Sequence, residues 1–149
     1  MKKSLSHWQV FTTILLLCML IFGIYLGYVN TSLNNEAECN LTNSACNVSL
    51  GEQYLSVRFL QTPVAEEELL LEFDMPPNYH IDKAWIEGIN MYMGKTPVMF
   101  EDANSKNRGV TFLGSCNLQE MQWRLFVELE HIESSERHRA SFDFYTYLN

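Results

Sequence analysis

One feature constrains this chain more than any other: an uncharged, apolar run from Val10 to Val29. A helix over it, at 1.5 Å rise per residue, is about 30 Å long, the thickness of a bilayer's hydrocarbon core. Lys2 and Lys3 precede it, whereas residues 30–52 hold Glu36, Glu38 and Glu52 but no Lys or Arg. The positive-inside rule then makes 1–9 a cytoplasmic tail and 10–29 a transmembrane helix, and it exports everything after. Trp8, Tyr25 and Tyr28 stand near the two ends of the run, where aromatic belts form. A cleaved signal peptide is the competing reading. Against it, the run exceeds the usual apolar core of about 7–15 residues, and Gly27-Tyr28-Val29-Asn30 offers no small-x-small cleavage site. Gly23 and Gly27 form a GxxxG, a close-packing face for a homodimer; small residues tolerated by chance in a membrane helix are the alternative.

Charge excludes one class of partner. The net charge is −8; with Lys2 and Lys3 set aside, eight Lys and Arg face eighteen Asp and Glu, a net of −10. Nucleic acid and anionic bilayer surfaces both require a basic footprint, so neither is expected as a ligand of the outer part. No P-loop, GxGxxG, HExxH or GxSxG is present, and no enzyme is expected.

Residues 30–50 are rich in Asn, Ser and Thr and read as a linker carrying a cysteine pair. From 51 to 149, short runs of period two alternate with turn signals. The strand-like runs are Gln53–Gln61, Glu67–Met75, Asp82–Gly88, Asn90–Met93, Pro97–Phe100, Gly109–Leu113, Met121–Glu130 and Ser141–Leu148. Met121, Trp123, Leu125, Val127 and Leu129 share one face of the cleanest of them. This pattern predicts a mainly β fold: an antiparallel, immunoglobulin-like β-sandwich behind a single transmembrane helix.

Of four cysteines, Cys18 lies inside the apolar run as a small apolar residue. Cys39, Cys46 and Cys116 would face an oxidising compartment, and an odd number leaves one unpaired. A Cys39–Cys46 disulfide closes a short loop and is favoured over a bond from either to Cys116. Met91 and Met93 would project from one face of a strand, as would Met121 and Trp123. A thiolate from Cys116 with thioethers from Met91, Met93 and Met121 is a soft ligand set that selects Cu(I), with Trp123 beside it shielding the ion. The four histidines fall at no zinc spacing with the cysteines. Plain core packing of Met91, Met93, Met121 and Trp123 stands as the alternative.

The ordered motifs Cys39-x6-Cys46, Met91-x-Met93-Gly94 and Gly114-x-Cys116-x4-Met121-x-Trp123 resemble those of a family of small, membrane-anchored bacterial periplasmic proteins. Members of that family carry C-P-L…G-P-C, M-x-M-G and L-P-x-C-x4-M-x-W and accompany copper-handling or cytochrome oxidase assembly factors. This chain departs from the pattern at Asn40 and Ser115, where the family has Pro; neither change removes a sulfur. The resemblance implies a bacterial inner-membrane protein with a periplasmic C-terminal domain. Such a protein would bind Cu(I) or assist metal maturation of a respiratory oxidase. A metal-free module docking a larger membrane complex is the alternative.

Overall fold

The computed structural model describes residues 7–30, 35–100, 107–115 and 117–148, with side chains at 11–23 of the helix and from Cys39 onward. Lys2, Lys3 and Cys116 lie outside the described residues, as do the side chains of Trp8, Tyr25, Gly27 and Tyr28. The chain forms two compact units, Met1–Leu33 and Asn34–Asn149.

The first unit is one helix, α1 (His7–Asn30), 24 residues long. Phe11, Ile14, Leu17, Met19 and Phe22 are all exposed, so α1 is apolar around its whole circumference rather than along one stripe. Cys18 is an exposed free thiol, and nothing lies within 4 Å of where a Cβ on Gly23 would stand. Among the described residues no helix is both long and apolar enough to cross a membrane.

The second unit is a sandwich of two five-stranded sheets. Its strands are β1 (Asn35–Asn40), β2 (Cys46–Leu50), β3 (Gln53–Phe59), β4 (Glu68–Asp74), β5 (Tyr79–Gly88), β6 (Lys95–Pro97), β7 (Met99–Phe100), β8 (Arg108–Phe112), β9 (Glu120–His131) and β10 (Arg137–Tyr147). Sheet A runs β1-β10-β9-β5-β6 and sheet B runs β2-β3-β4-β8-β7. Every pairing is antiparallel except β1 with β10, which is parallel.

Period-two patterning explains which faces meet. On β9, Met121, Trp123, Leu125, Val127 and Leu129 are buried while the residues between them are part-exposed. Phe142 and Phe144 on β10, Ile81 and Ile86 on β5, and Leu69, Leu71 and Phe73 on β4 complete one core between the sheets. Phe59 of sheet B meets Phe144 of sheet A edge-on at 4.9 Å. Each fully buried large side chain contributes about 1.5–3 kcal/mol relative to leaving it in water.

Two features differ from the sequence expectation. Within 30–50, composition suggests a linker, yet β1 pairs with β10 and β2 pairs with β3. The reason is alternation hidden by the polar background: Cys46, Val48 and Leu50 point inward, and Leu41 joins the core. Cys39 and Cys46 are disulfide-bonded, which joins the edge strand of sheet A to that of sheet B. The second difference is the expected strand Asn90–Met93, which is a loop. The Asn90 carboxamide makes the contacts a strand backbone would otherwise make. Its Nδ2 donates to the Glu120 carbonyl at 3.0 Å, and its Oδ1 accepts from the Gln122 N–H at 3.1 Å. Met91 and Met93 therefore do not share a strand face.

The run Pro97–Phe100 is likewise two short strands. β6 pairs with β5 and β7 with β8, so the chain passes from one sheet to the other at Val98. Val98 N–H donates to the Ala84 carbonyl at 2.9 Å and the Thr111 hydroxyl to the Pro97 carbonyl at 3.1 Å. Pro97 has no N–H to offer a ladder and sits on an edge strand, where that is tolerated.

Candidate functional site

Four segments far apart in sequence meet at one end of the sandwich: 60–68, 89–94, 112–120 and 147–148. Backbone hydrogen bonds join them. Glu66 N–H donates to the Leu113 carbonyl at 3.1 Å, Ile89 N–H to the Gln122 carbonyl at 2.9 Å, and Leu148 N–H to the Gln119 carbonyl at 3.1 Å. Asn90 adds the two bonds that tie the β5–β6 loop to the start of β9.

Met121 and Met93 each reach a glycine at this end, and the Met91 backbone passes close to one of them. A Cβ built on Gly88 would stand 2.5 Å from Met121 Cε and 2.2 Å from the Met91 carbonyl oxygen. The Met121 thioether therefore lies under the loop that carries Met91. A Cβ on Gly114 would stand 3.1 Å from Met93 Cε, which puts Met93 against the segment leading to Cys116. Glycine at 88 is what lets the loop backbone and the Met121 methyl share this space.

Exposure grades across the three. Met121 is 2 % exposed, Met93 is part-buried against the core, and Met91 is 40 % exposed. Trp123 is 1 % exposed and pairs with Gly88 across the β5–β9 ladder. Its indole N–H donates to the Thr146 hydroxyl at 2.9 Å, and its ring lies parallel to Phe144 at 6.5 Å. Met121 and Trp123 are thus core residues whichever further role they play. Among the described residues no three of His, Cys, Asp and Glu converge as a cation site, so any soft-metal site at this end rests on the methionines and on Cys116.

The outer face of sheet A has a different character, and period-two patterning alone gave no sign of its pairing. Trp85 and Phe126 stack at 5.2 Å across β5 and β9, and Lys95 Nζ lies 4.9 Å from the Trp85 ring. Trp85 Nε1 donates to Glu87 at 2.6 Å, and Lys95 pairs with Glu87 at 3.0 Å. That indole hydrogen bond, with Lys95 and Arg139 adding, holds the Glu87 carboxyl below the usual carboxylate range against the opposing effect of burial. Glu128 pairs with Arg139, and Asp143 with Arg124, at 2.5 Å each. These pairs brace β5, β9 and β10 across the outer face of sheet A.

No protein family, curated protein or solved structure matches the chain.

Proposed function

We propose that this chain is a single-pass membrane protein of the bacterial inner membrane whose periplasmic sandwich binds one Cu(I) at the loop end, in support of respiratory oxidase maturation. The observation that supports the reading is a pair of close approaches at the loop end: Met93 Cε to Gly114, and Met121 Cε to Gly88 beneath the Met91 backbone. The residues fit the ion in kind, since thioethers and a thiol are soft donors. Met91, Met93 and Met121 would hold it, with Cys116 as the only anionic ligand. Trp123 and its neighbours exclude water from the interior side. Bound there, Cu(I) would be available for ligand exchange through the exposed Met91.

The anchor rests on three observations: α1 is a 24-residue helix, its described side chains are exposed and apolar on every side, and the sequence carries the uncharged run out to Val29. The uncharged run from Val10 to Val29 has the length of about 20 residues that a span needs. The Gly23-x3-Gly27 spacing would let a second copy of the helix approach closely. A sandwich whose first and last strands lie side by side in parallel supports the immunoglobulin-like description.

The test is a Cu(I) titration of the reduced full chain in mild detergent against a chromogenic chelator. One Cu(I) per chain is expected. Affinity should fall most for Cys116→Ser, less for Met93→Ala and Met91→Ala, and not for Met99→Ala, which is exposed on β7 away from the loop. Absence of stoichiometric uptake by folded, reduced protein would remove the metal from the account.

A further inference from the structure

We propose that the tip of the β9–β10 hairpin is a pH-operated switch, held shut by the neutral His131 ring and released when His131 and His138 take up protons. This goes beyond the metal reading and does not rest on it, since the tip lies at the opposite end of β9 from Met121.

The hairpin closes on His131 through both backbone and ring. The His131 N–H donates to the Glu136 carbonyl, and the His131 carbonyl accepts from the Ser135 N–H, both at 2.9 Å. In the ring, Nδ1 accepts from the Glu133 N–H at 3.3 Å and from the Ser134 N–H at 3.2 Å. A nitrogen that accepts two N–H groups carries no proton of its own, so the turn selects the neutral ring with its proton on Nε2. The turn held in this way is a costly one. Ser135 has a φ of 54° without being glycine, a conformation that persists only where surrounding bonds impose it. A proton on Nδ1 would replace the acceptor by a donor aimed at two donors, and the ring would have to leave.

His138 supplies the second half. Its Nε2 is buried with no hydrogen-bond partner among the described residues, and the Glu136 carboxylate stands 3.6 Å away. That gap is too long for a hydrogen bond but well within Coulomb range, so a charged His138 draws the Glu136 side chain toward itself and pulls on the end of the turn. Both rings meet one tyrosine edge to face: Tyr79 of β5 lies 5.0 Å from His131 and 5.5 Å from His138. Two imidazolium ions around that ring would also repel each other. The other charged or titratable groups around them are His80 on β5, Glu130 on β9, Glu133 in the turn and Arg137 on β10, with Glu130 and Arg137 paired at 3.8 Å. The Ile132 N–H donates to the Asn78 carbonyl at 2.8 Å, so release of the tip also loosens its seat on the β4–β5 connection.

Nuclear magnetic resonance of the isotope-labelled full chain in mild detergent, at about pH 8 and about pH 5, tests this across the range in which imidazoles change charge. At the higher pH the His131 ring should show the tautomer protonated on Nε2. At the lower pH the Glu133 and Ser134 amides should lose protection from solvent exchange severalfold, each rate taken against the unstructured rate at that pH. Leu125, in the middle of β9, should keep its protection. His131→Asn retains an acceptor near the Nδ1 position but takes up no proton, so its tip should stay protected at both values. His138→Gln should leave the tip partly shut at the lower pH, because nothing then draws Glu136 in. The tautomer is read on the parent chain and needs no variant. A His131 ring protonated on Nδ1 at about pH 8, equal protection at both pH values in the parent, or acid release undiminished in His131→Asn would each overturn the proposal.

Discussion

Gly88→Ala should destabilise this domain clearly, because the added methyl group meets backbone as well as side chain. The new Cβ would stand 2.2 Å from the Met91 carbonyl oxygen and 2.5 Å from Met121 Cε. The thioether can turn aside at about 0.5–1.5 kcal/mol for an off-rotamer torsion. The carbonyl belongs to the backbone and moves only if the loop moves, which strains the two Asn90 bonds to Glu120 and Gln122. Those bonds are worth about 0.5–1.5 kcal/mol each. Together this gives about 2–4 kcal/mol, at or above the usual range for overpacking. Urea unfolding of the full chain in mild detergent, followed by tryptophan fluorescence, measures it. Met121→Ala should cost about 2–5 kcal/mol as a buried truncation. The double variant should cost less than the two added, because removing the thioether frees part of the space. A Gly88→Ala chain within about 0.5 kcal/mol of the parent would refute the close approach of loop and strand.

Three further outcomes are expected. Replacing both Cys39 and Cys46 by Ala should cost about 2–3 kcal/mol, the loop-closure value for so short a bridge, read as a lower urea midpoint. Glu87 is held ionised below the ordinary carboxylate range, so the folded state binds its proton less readily than the unfolded chain. Its stabilisation is present above the ordinary Glu value of about 4.3 and is lost as pH falls through the lower folded value. Glu87→Gln should flatten the loss of stability as pH falls below the ordinary Glu value of about 4.3, and an unchanged acid profile would count against the Trp85–Glu87–Lys95 arrangement. A reporter fused after Asn149 should be active only outside the cytoplasm, with the chain retaining residues 1–29; a freely soluble product beginning near Asn30 would contradict the anchor.

Much of the fold was legible because inward and outward residues alternate along β9 and the second half of β10. β9 and β10 declare themselves through Met121–Leu129 and through Phe142, Phe144 and Thr146, all buried as the period requires. Leu148 continues that alternation in sequence yet is exposed, since β10 ends at Tyr147. What stayed hidden had a physical cause in each case. β1 and β2 sit in an Asn/Ser/Thr-rich stretch, and only Cys46, Val48 and Leu50 betray the inward face. The sheet change at Val98 depends on partners distant in sequence, Ala84 and Thr111, that no local pattern reveals. At the loop end, spacing suggested that Met91 and Met93 share a strand face, and the segment is a loop instead. A side chain, Asn90, lifts them out of the ladder, and glycines at 88 and 114 make room for the sulfur-bearing side chains. The cross-strand stack of Trp85 on Phe126 was likewise out of reach, since it depends on the β5–β9 register.

The central claim is that sulfur atoms from separate motifs serve one soft ion. X-ray absorption at the copper edge, on the reduced full chain loaded with one equivalent of Cu(I), tests it most directly. The account predicts a first shell made only of sulfur, losing a scatterer in Met93→Ala and its shortest bond in Cys116→Ser. A shell containing nitrogen or oxygen in the parent chain, or a spectrum indifferent to both substitutions, would contradict it.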